Sequence, residues 1–117
     1  MKILVAEDEA LMLKTIELKL KKEGHEVIAC GDGKQAIQKI TEEQPDLVIT
    51  DMMLPYASGL EIVQEVKKSE KKIIVIVLSA MGQERTVEEA FALGADDYVT
   101  KPFSLSELSM RIKRFQR

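Results

Sequence analysis

The sequence is poor in the residues that build disulfide scaffolds and soft-metal sites. It has one cysteine, Cys30, and one histidine, His25. One thiol cannot form an internal disulfide framework. One thiol and one imidazole cannot complete the four nitrogen and sulfur ligands of a structural zinc site. Long apolar runs are missing as well. The longest, Ile73–Leu78, is far short of the ~20 residues a membrane-spanning helix needs. The start, Met1-Lys2-Ile3-Leu4-Val5, has neither the length nor the cleavage pattern of a signal peptide. Positive charge is not in excess either. The formal net charge is −3, which argues against a domain that itself grips nucleic acid, because phosphates demand a basic face.

What is present describes an ordinary folded domain. The 117 residues are 45% hydrophobic and 32% charged, a composition that folds rather than staying disordered. A chain of this length fits one domain and buries roughly two-thirds of its unfolded surface. The expectation is a single cytoplasmic, soluble domain spanning residues 1–117.

Short apolar runs alternate with helical patterns throughout. The runs are Ile3–Ala6, Val27–Cys30, Leu47–Thr50, Ile73–Leu78 and the weaker Tyr98–Thr100. They are rich in valine and isoleucine, as buried strands are. Between them lie stripes of helical period: Met12, Leu13, Ile16 and Leu20; Ala36, Ile37 and Ile40; Ile62, Val63 and Val66; Val87, Ala90 and Phe91; Leu105, Leu108, Ile112 and Phe115. Ser58 before Glu61 and Ser104 before Glu107 read as capping boxes, with Asp32 and Gln35 a weaker version. Gly24 and Gly94 mark the ends of the first and fourth helices. Five strand–helix repeats predict an α/β fold, a doubly wound parallel sheet covered on both faces. The first, third and fourth runs are almost wholly apolar and should be central. The second and fifth are more polar and should be edges. That gives a single flavodoxin-like (βα)5 sheet with strand order 2-1-3-4-5.

In such a sheet, ligands bind beyond the carboxyl ends of the strands. The first strand ends in Glu7-Asp8-Glu9, the third in Asp51, the fourth in Ser79-Ala80 and the fifth in Lys101-Pro102. The predicted order brings Glu7, Asp8, Asp51, Ser79 and Lys101 to one pocket. Clustered carboxylates repel one another and invite a hard cation, and Mg²⁺ suits oxygen ligands. A lysine beside a metal-bound carboxylate offers positive charge to an anion, phosphate above all. A carboxylate, a metal, a hydroxyl and a lysine are the parts needed to transfer a phosphoryl group onto an aspartate.

Along its whole length the chain resembles the receiver domain of two-component response regulators. The motifs are Glu7-Asp8, Asp51-Met52-Met53-Leu54-Pro55, Ser79-Ala80, Gly94-Ala95-Asp96-Asp97-Tyr98 and Lys101-Pro102-Phe103. No single one is specific, but the five together, in order and at these spacings, are. The resemblance implies that Asp51 accepts a phosphoryl group from a phosphohistidine on a sensor histidine kinase or phosphotransfer protein. It implies that Asp8, Asp51 and the backbone carbonyl of Met53 hold Mg²⁺ (or Mn²⁺), with Glu7 acting mainly through water. Lys101 would neutralise the phosphoryl charge. Ser79 would bond a phosphoryl oxygen, and Tyr98 would rotate inward as Ser79 moves. The face built from the fourth helix, fifth strand and fifth helix would then change. Lys101-Pro102 would be a cis peptide. Such a domain is no enzyme toward other molecules and assists only its own phosphorylation and dephosphorylation.

Residues Gly94 to Phe103 look most like regulators with a winged-helix DNA-binding output domain. By that likeness Asp97, Glu107 and Arg111 form a candidate dimer face, and DNA is contacted only through an output domain outside this chain. The basic partner usual on the fourth helix is replaced by Val87-Glu88-Glu89. Met53 and Met81, two residues after Asp51 and Ser79, border the pocket by the same likeness. Thioethers cannot orient a hydrolytic water, so slow self-dephosphorylation is expected.

Two other readings stand beside the switch. A haloacid-dehalogenase-type phosphatase also uses an aspartate with Mg²⁺, but needs a second aspartate two residues on, where Met53 stands. A pseudo-receiver would bind partners without phosphorylation, yet Glu7, Asp8, Asp51, Ser79 and Lys101 are all intact. The remaining residues carry plainer expectations. His25 is read as surface and Cys30 as a small apolar filler. Met52 and most methionines are read as core or pocket rim. Arg111, Lys113, Arg114 and Arg117 are read as the solvated face and end of the fifth helix.

Overall fold

The computed structural model describes residues 1–116. Five strands and five helices alternate: β1 (Lys2–Ala6), α1 (Ala10–Lys22), β2 (Glu26–Cys30), α2 (Gly33–Glu43), β3 (Leu47–Asp51), α3 (Gly59–Lys67), β4 (Ile74–Ser79), α4 (Glu84–Leu93), β5 (Asp97–Thr100) and α5 (Leu105–Lys113). All strand pairs are parallel, in the order β2-β1-β3-β4-β5. The all-apolar strands are central and the polar ones are edges, as their composition predicts. Among the described residues, no helix is long and apolar enough to cross a membrane.

The period of two along each strand divides the core. Leu4 and Ala6 of β1 join Val48, Val75 and Val77 on the face covered by α2, α3 and α4. Ile3 and Val5 join Ile49, Ile76 and Leu78 on the face covered by α1 and α5. Each fully buried aliphatic side chain contributes about 1.5–3 kcal/mol. A slip of one residue in β1 would exchange the two sets, so the register is firmly specified.

The helix starts follow their sequence signals. The side chains of Ser58 and Ser104 accept the backbone N–H of Glu61 and Glu107. At α2 the weaker signal makes the fuller cap. Asp32 accepts from the Gln35 N–H at 2.8 Å, and the Gln35 side-chain oxygen in turn accepts the Gly31 N–H at 3.0 Å. Gly94 stops α4 with φ of 116°, a conformation that costs a side-chain-bearing residue about 1–2 kcal/mol.

Three sequence expectations are corrected. His25 is buried, not surface: the turn after α1 folds it inward, and its Nδ1 lies 3.2 Å from the α-amino nitrogen of Met1. Phe91 is not in the core but exposed, standing edge-on to Tyr98 with ring centroids 5.8 Å apart. Arg111 and Arg114 are not simply solvated. Both turn back onto the buried Asp97, at 2.9 and 3.4 Å. Arg117 lies outside the described residues.

Candidate functional site

The strand order places the carboxyl ends of β1, β3, β4 and β5 side by side, and each supplies a polar residue. Past β1, the Glu7 N–H continues the ladder to the Cys30 carbonyl at 3.1 Å. This holds Glu7 at 1% exposure, with a side-chain oxygen accepting the Glu9 N–H at 3.0 Å. Asp51 closes β3, and the next N–H, of Met52, bonds the Leu78 carbonyl at 3.1 Å. Beyond β5, the Lys101 N–H bonds the Ser79 carbonyl at 2.7 Å. Lys101-Pro102 is cis. Ser79 is buried at the end of β4.

One ammonium organises the centre. Lys101 Nζ donates to Asp51 Oδ2 at 2.6 Å and to Glu7 Oε1 at 2.9 Å. Burial raises the Glu7 carboxyl above its usual range, and the charge of Asp51 adds to this. The Glu9 N–H and Lys101 oppose it. Burial by itself would lower the Lys101 ammonium, but its bonds to Asp51 and Glu7 and their charges together outweigh it, so the net shift is upward.

Glu7, Asp8 and Asp51 each offer an oxygen, and these lie within 4.8 Å of one another. Three carboxylates against one ammonium leave a charge of −2 when all are ionised. An all-oxygen donor set of that charge suits one hard divalent cation. Asp8 is exposed and Glu7 buried, so the opening lies on the Asp8 side.

The walls come from the loops after β3 and β4. In the first, Tyr56 has φ of 72°, and the Ala57 N–H bonds the Pro55 carbonyl at 2.9 Å. This is a classic-type γ-turn, a rare and strained form. The Pro55 carbonyl also accepts the N–H of Gly33, at 3.0 Å. A side chain at position 33 would place its Cβ 2.0 Å from the Ala57 carbonyl oxygen, so only glycine lets α2 start there. Beside β4, a groove of about 430 Å³ runs between α4 and β5, lined by Ser79, Met81, Val87, Phe91 and Tyr98 among others.

The sequence-predicted pocket residues Glu7, Asp8, Asp51 and Lys101 thus come together, with Ser79 adjacent. Met53 and Met81 are both exposed. Tyr98 is 41% exposed and points outward against Phe91. Of the candidate dimer-face residues, Asp97 and Arg111 pair within the chain, while Glu107 has no ion pair among the described residues. Two contacts have no clear sequence signal: the γ-turn at Tyr56, and a bond from the Ala80 N–H to the side chain of Gln83.

Residues 3–113 match the family model of the response regulator receiver domain. The chain belongs to that family, and with it to the proteins of two-component systems. Among solved structures it is similar to the Francisella response regulator 1452 receiver domain, at 33% identity over 97% of this chain and 94% of that one, with a TM-score of 0.88. A response regulator receiver domain protein from Clostridium thermocellum gives 34% identity, 97% and 92% coverage, and a TM-score of 0.91. The receiver domain of NtrX from Brucella abortus gives 31% identity, 97% and 96% coverage, and a TM-score of 0.88. The chain matches only 26% of a longer NtrX chain, so there this fold is one part of a larger protein.

Proposed function

We propose that this receiver domain takes a phosphoryl group onto Asp51 from a phosphohistidine of a sensor histidine kinase or phosphotransfer protein in the cytoplasm. The observation that carries the reading is the Lys101 ammonium held between Asp51 and Glu7 in a chain that matches the family over residues 3–113. An Asp51 oxygen attacks phosphorus, a P–O bond forms and the P–N bond breaks. The imidazole nitrogen leaves with the electron pair and takes up a proton. Asp51 is aligned for this by the end of β3 and by the Met53 N–H, which approaches Oδ1 at 3.4 Å. Lys101 follows the developing charge from carboxylate to phosphoryl oxygens. Ser79, fixed through its carbonyl by Lys101, offers a hydroxyl to one of those oxygens. Asp8, Asp51 and the Met53 carbonyl, with Glu7 acting through water, would hold Mg²⁺ or Mn²⁺, which when bound would supply positive charge to the transferring group.

Phosphorylation adds a charge of roughly −1.5 to −2 and new acceptor oxygens. The conformation in which Ser79 and Lys101 meet them best becomes more populated. Inward rotation of Tyr98 would part it from Phe91, fill the α4–β5 groove and remodel the α4-β5-α5 face, which reports to an output. That face is also where phosphorylation-linked pairing of two copies would occur. The Asp97–Arg111 bond would have to be shared or exchanged there. Catalysis is confined to the domain's own phosphorylation and dephosphorylation.

The test is intact mass after incubation with Mg²⁺ and acetyl phosphate, with Asp51→Asn in parallel. One added phosphoryl group on the original and none on the variant is expected. No adduct when Mg²⁺ binding is confirmed would refute the acceptor role under these conditions. The exposed thioethers of Met53 and Met81 further support a long-lived acyl phosphate. Met53→Asn should shorten its half-life, and a lengthened one would sink that point.

A further inference from the structure

The loop between β4 and α4 carries a bond that the acceptor chemistry does not use. The Gln83 side-chain oxygen accepts the backbone N–H of Ala80 at 2.6 Å. Gly82, at φ of 89°, reverses the chain so that Gln83 can fold back over Ala80. The bond does not cap the helix. The first turn of α4 receives no side-chain cap, whereas α2, α3 and α5 each do. The oxygen that could have capped α4 is committed upstream, to the peptide immediately after Ser79.

That peptide is placed where an added group on Asp51 would arrive. Asp51 pairs with Leu78 in the sheet, and the Met52 N–H bonds the Leu78 carbonyl. Ser79 and Ala80 are thus the next residues beyond the Asp51 rung, and Ser79 is tied by its carbonyl to Lys101. On the β4–β5 side of Asp51 the donors are the Ser79 hydroxyl, the Lys101 ammonium and the Ala80 N–H, and Gln83 occupies the third. A hydrogen bond to a charged phosphoryl oxygen is roughly twice as strong as one to a neutral amide oxygen. An anion on Asp51 would therefore take the N–H from Gln83 if the two compete.

We propose that Gln83 is a clasp that closes the β4–α4 loop over the Ala80 N–H in the unphosphorylated domain, and that a phosphoryl group on Asp51 opens it by displacement. The proposal rests on the acceptor reading of Asp51. Opening frees the Gln83 side chain next to the uncapped start of α4, which connects events at Asp51 to the helix that lines the Phe91–Tyr98 groove. The identity of residue 83 then sets how far the resting state resists activation.

The experiment is a titration of the full chain with beryllofluoride in Mg²⁺, followed by amide NMR and calorimetry, for wild type, Gln83→Ala and Gln83→Glu. The alanine variant removes the competing acceptor and should bind roughly two- to ten-fold more tightly. The glutamate variant keeps an acceptor, makes it charged and repels the anion, so it should bind more weakly than wild type. The Ala80 amide resonance should shift on binding in the wild type. A residue that merely supports the loop would move both variants the same way, so weaker binding in both would overturn the clasp. Unchanged affinity in Gln83→Ala would overturn it too. Wild type that binds Mg²⁺ but not beryllofluoride would overturn the acceptor reading, and the clasp with it.

Discussion

Lys101 Nζ lies 2.6 Å from Asp51 Oδ2, and the same ammonium reaches Glu7 at 2.9 Å. One cation thus holds two strand ends together, and no other charge pairs with either carboxylate among the described residues. Lys101→Met should leave the buried Glu7 and Asp51 facing each other. The side chain of Lys101 is 25% exposed, so the loss should fall below that of a fully buried pair, at about 1–3 kcal/mol. Mg²⁺ should then stabilise the variant more than wild type, because the repelling ammonium is gone. Thermal melts in EDTA and in Mg²⁺ check this. An equal Mg²⁺ shift in both proteins would mean Lys101 and the metal do not share the site.

The β3–α3 loop and the start of α2 meet at a contact with no slack. Gly33→Ala should cost more than 2 kcal/mol, on the order of an overpacked core, because the added Cβ falls 2.0 Å from the Ala57 carbonyl oxygen. Tyr56→Gly should act the other way. Its φ is 72° and its side chain is 83% exposed, so glycine relieves strain while little packing is lost, for a net gain of up to about 1 kcal/mol. Urea denaturation of both variants measures the pair.

His25 should confer a pH dependence on stability. Burial holds its imidazole below the ordinary value, helped by the Met1 α-amino group and opposed by the Glu23 charge and the Met1 backbone bond. In the unfolded chain the ring titrates near ~6.5. Between the lower folded value and that one, the unfolded state binds more protons. The stability contributed by neutral His25 is thus complete above the unfolded value and lost as pH falls toward the folded one. His25→Gln should flatten the stability profile there. An unchanged slope would assign the dependence elsewhere.

Cys30 should be inert while the protein is folded. It is 1% exposed, and burial pushes its thiol up to about 11. The thiolate is the reactive form. Iodoacetamide at pH 8 should label the urea-unfolded chain and leave the native one unmodified. Rapid native labelling would show that the edge around β2 opens easily.

The strand order was legible because polarity differed among the strands. His25 to Cys30 and Asp96 to Thr100 are more polar and read as edges, and the pairing agrees. The pocket was legible because the topology turns strand ends into neighbours, so Glu7, Asp51 and Lys101 could be joined across the whole chain. Phe91 was not legible. Helical spacing puts it on the Val87–Ala90 stripe, but that stripe is wider than the sheet edge it covers, and its rim faces the Tyr98 ring. His25 was missed because a lone polar residue after a glycine carries no mark of which way the turn folds. The Arg114–Asp97 bond was hidden because Asp97 reads as an edge residue until α5 lies over it. Tyr56 and Gln83 owe their roles to backbone turns, which local composition does not encode.

The division of the pocket between strands has a practical consequence. Glu7, Asp8 and Asp51 all precede the turn at residues 69–72, while Ser79 and Lys101 both follow it. A chain cut in that turn would yield one fragment with every carboxylate and another with the hydroxyl and the ammonium. Neither half could bind beryllofluoride productively by itself. Recovery of binding on mixing would then report reassembly, which makes the domain a natural starting point for a split reporter whose signal is its own chemistry.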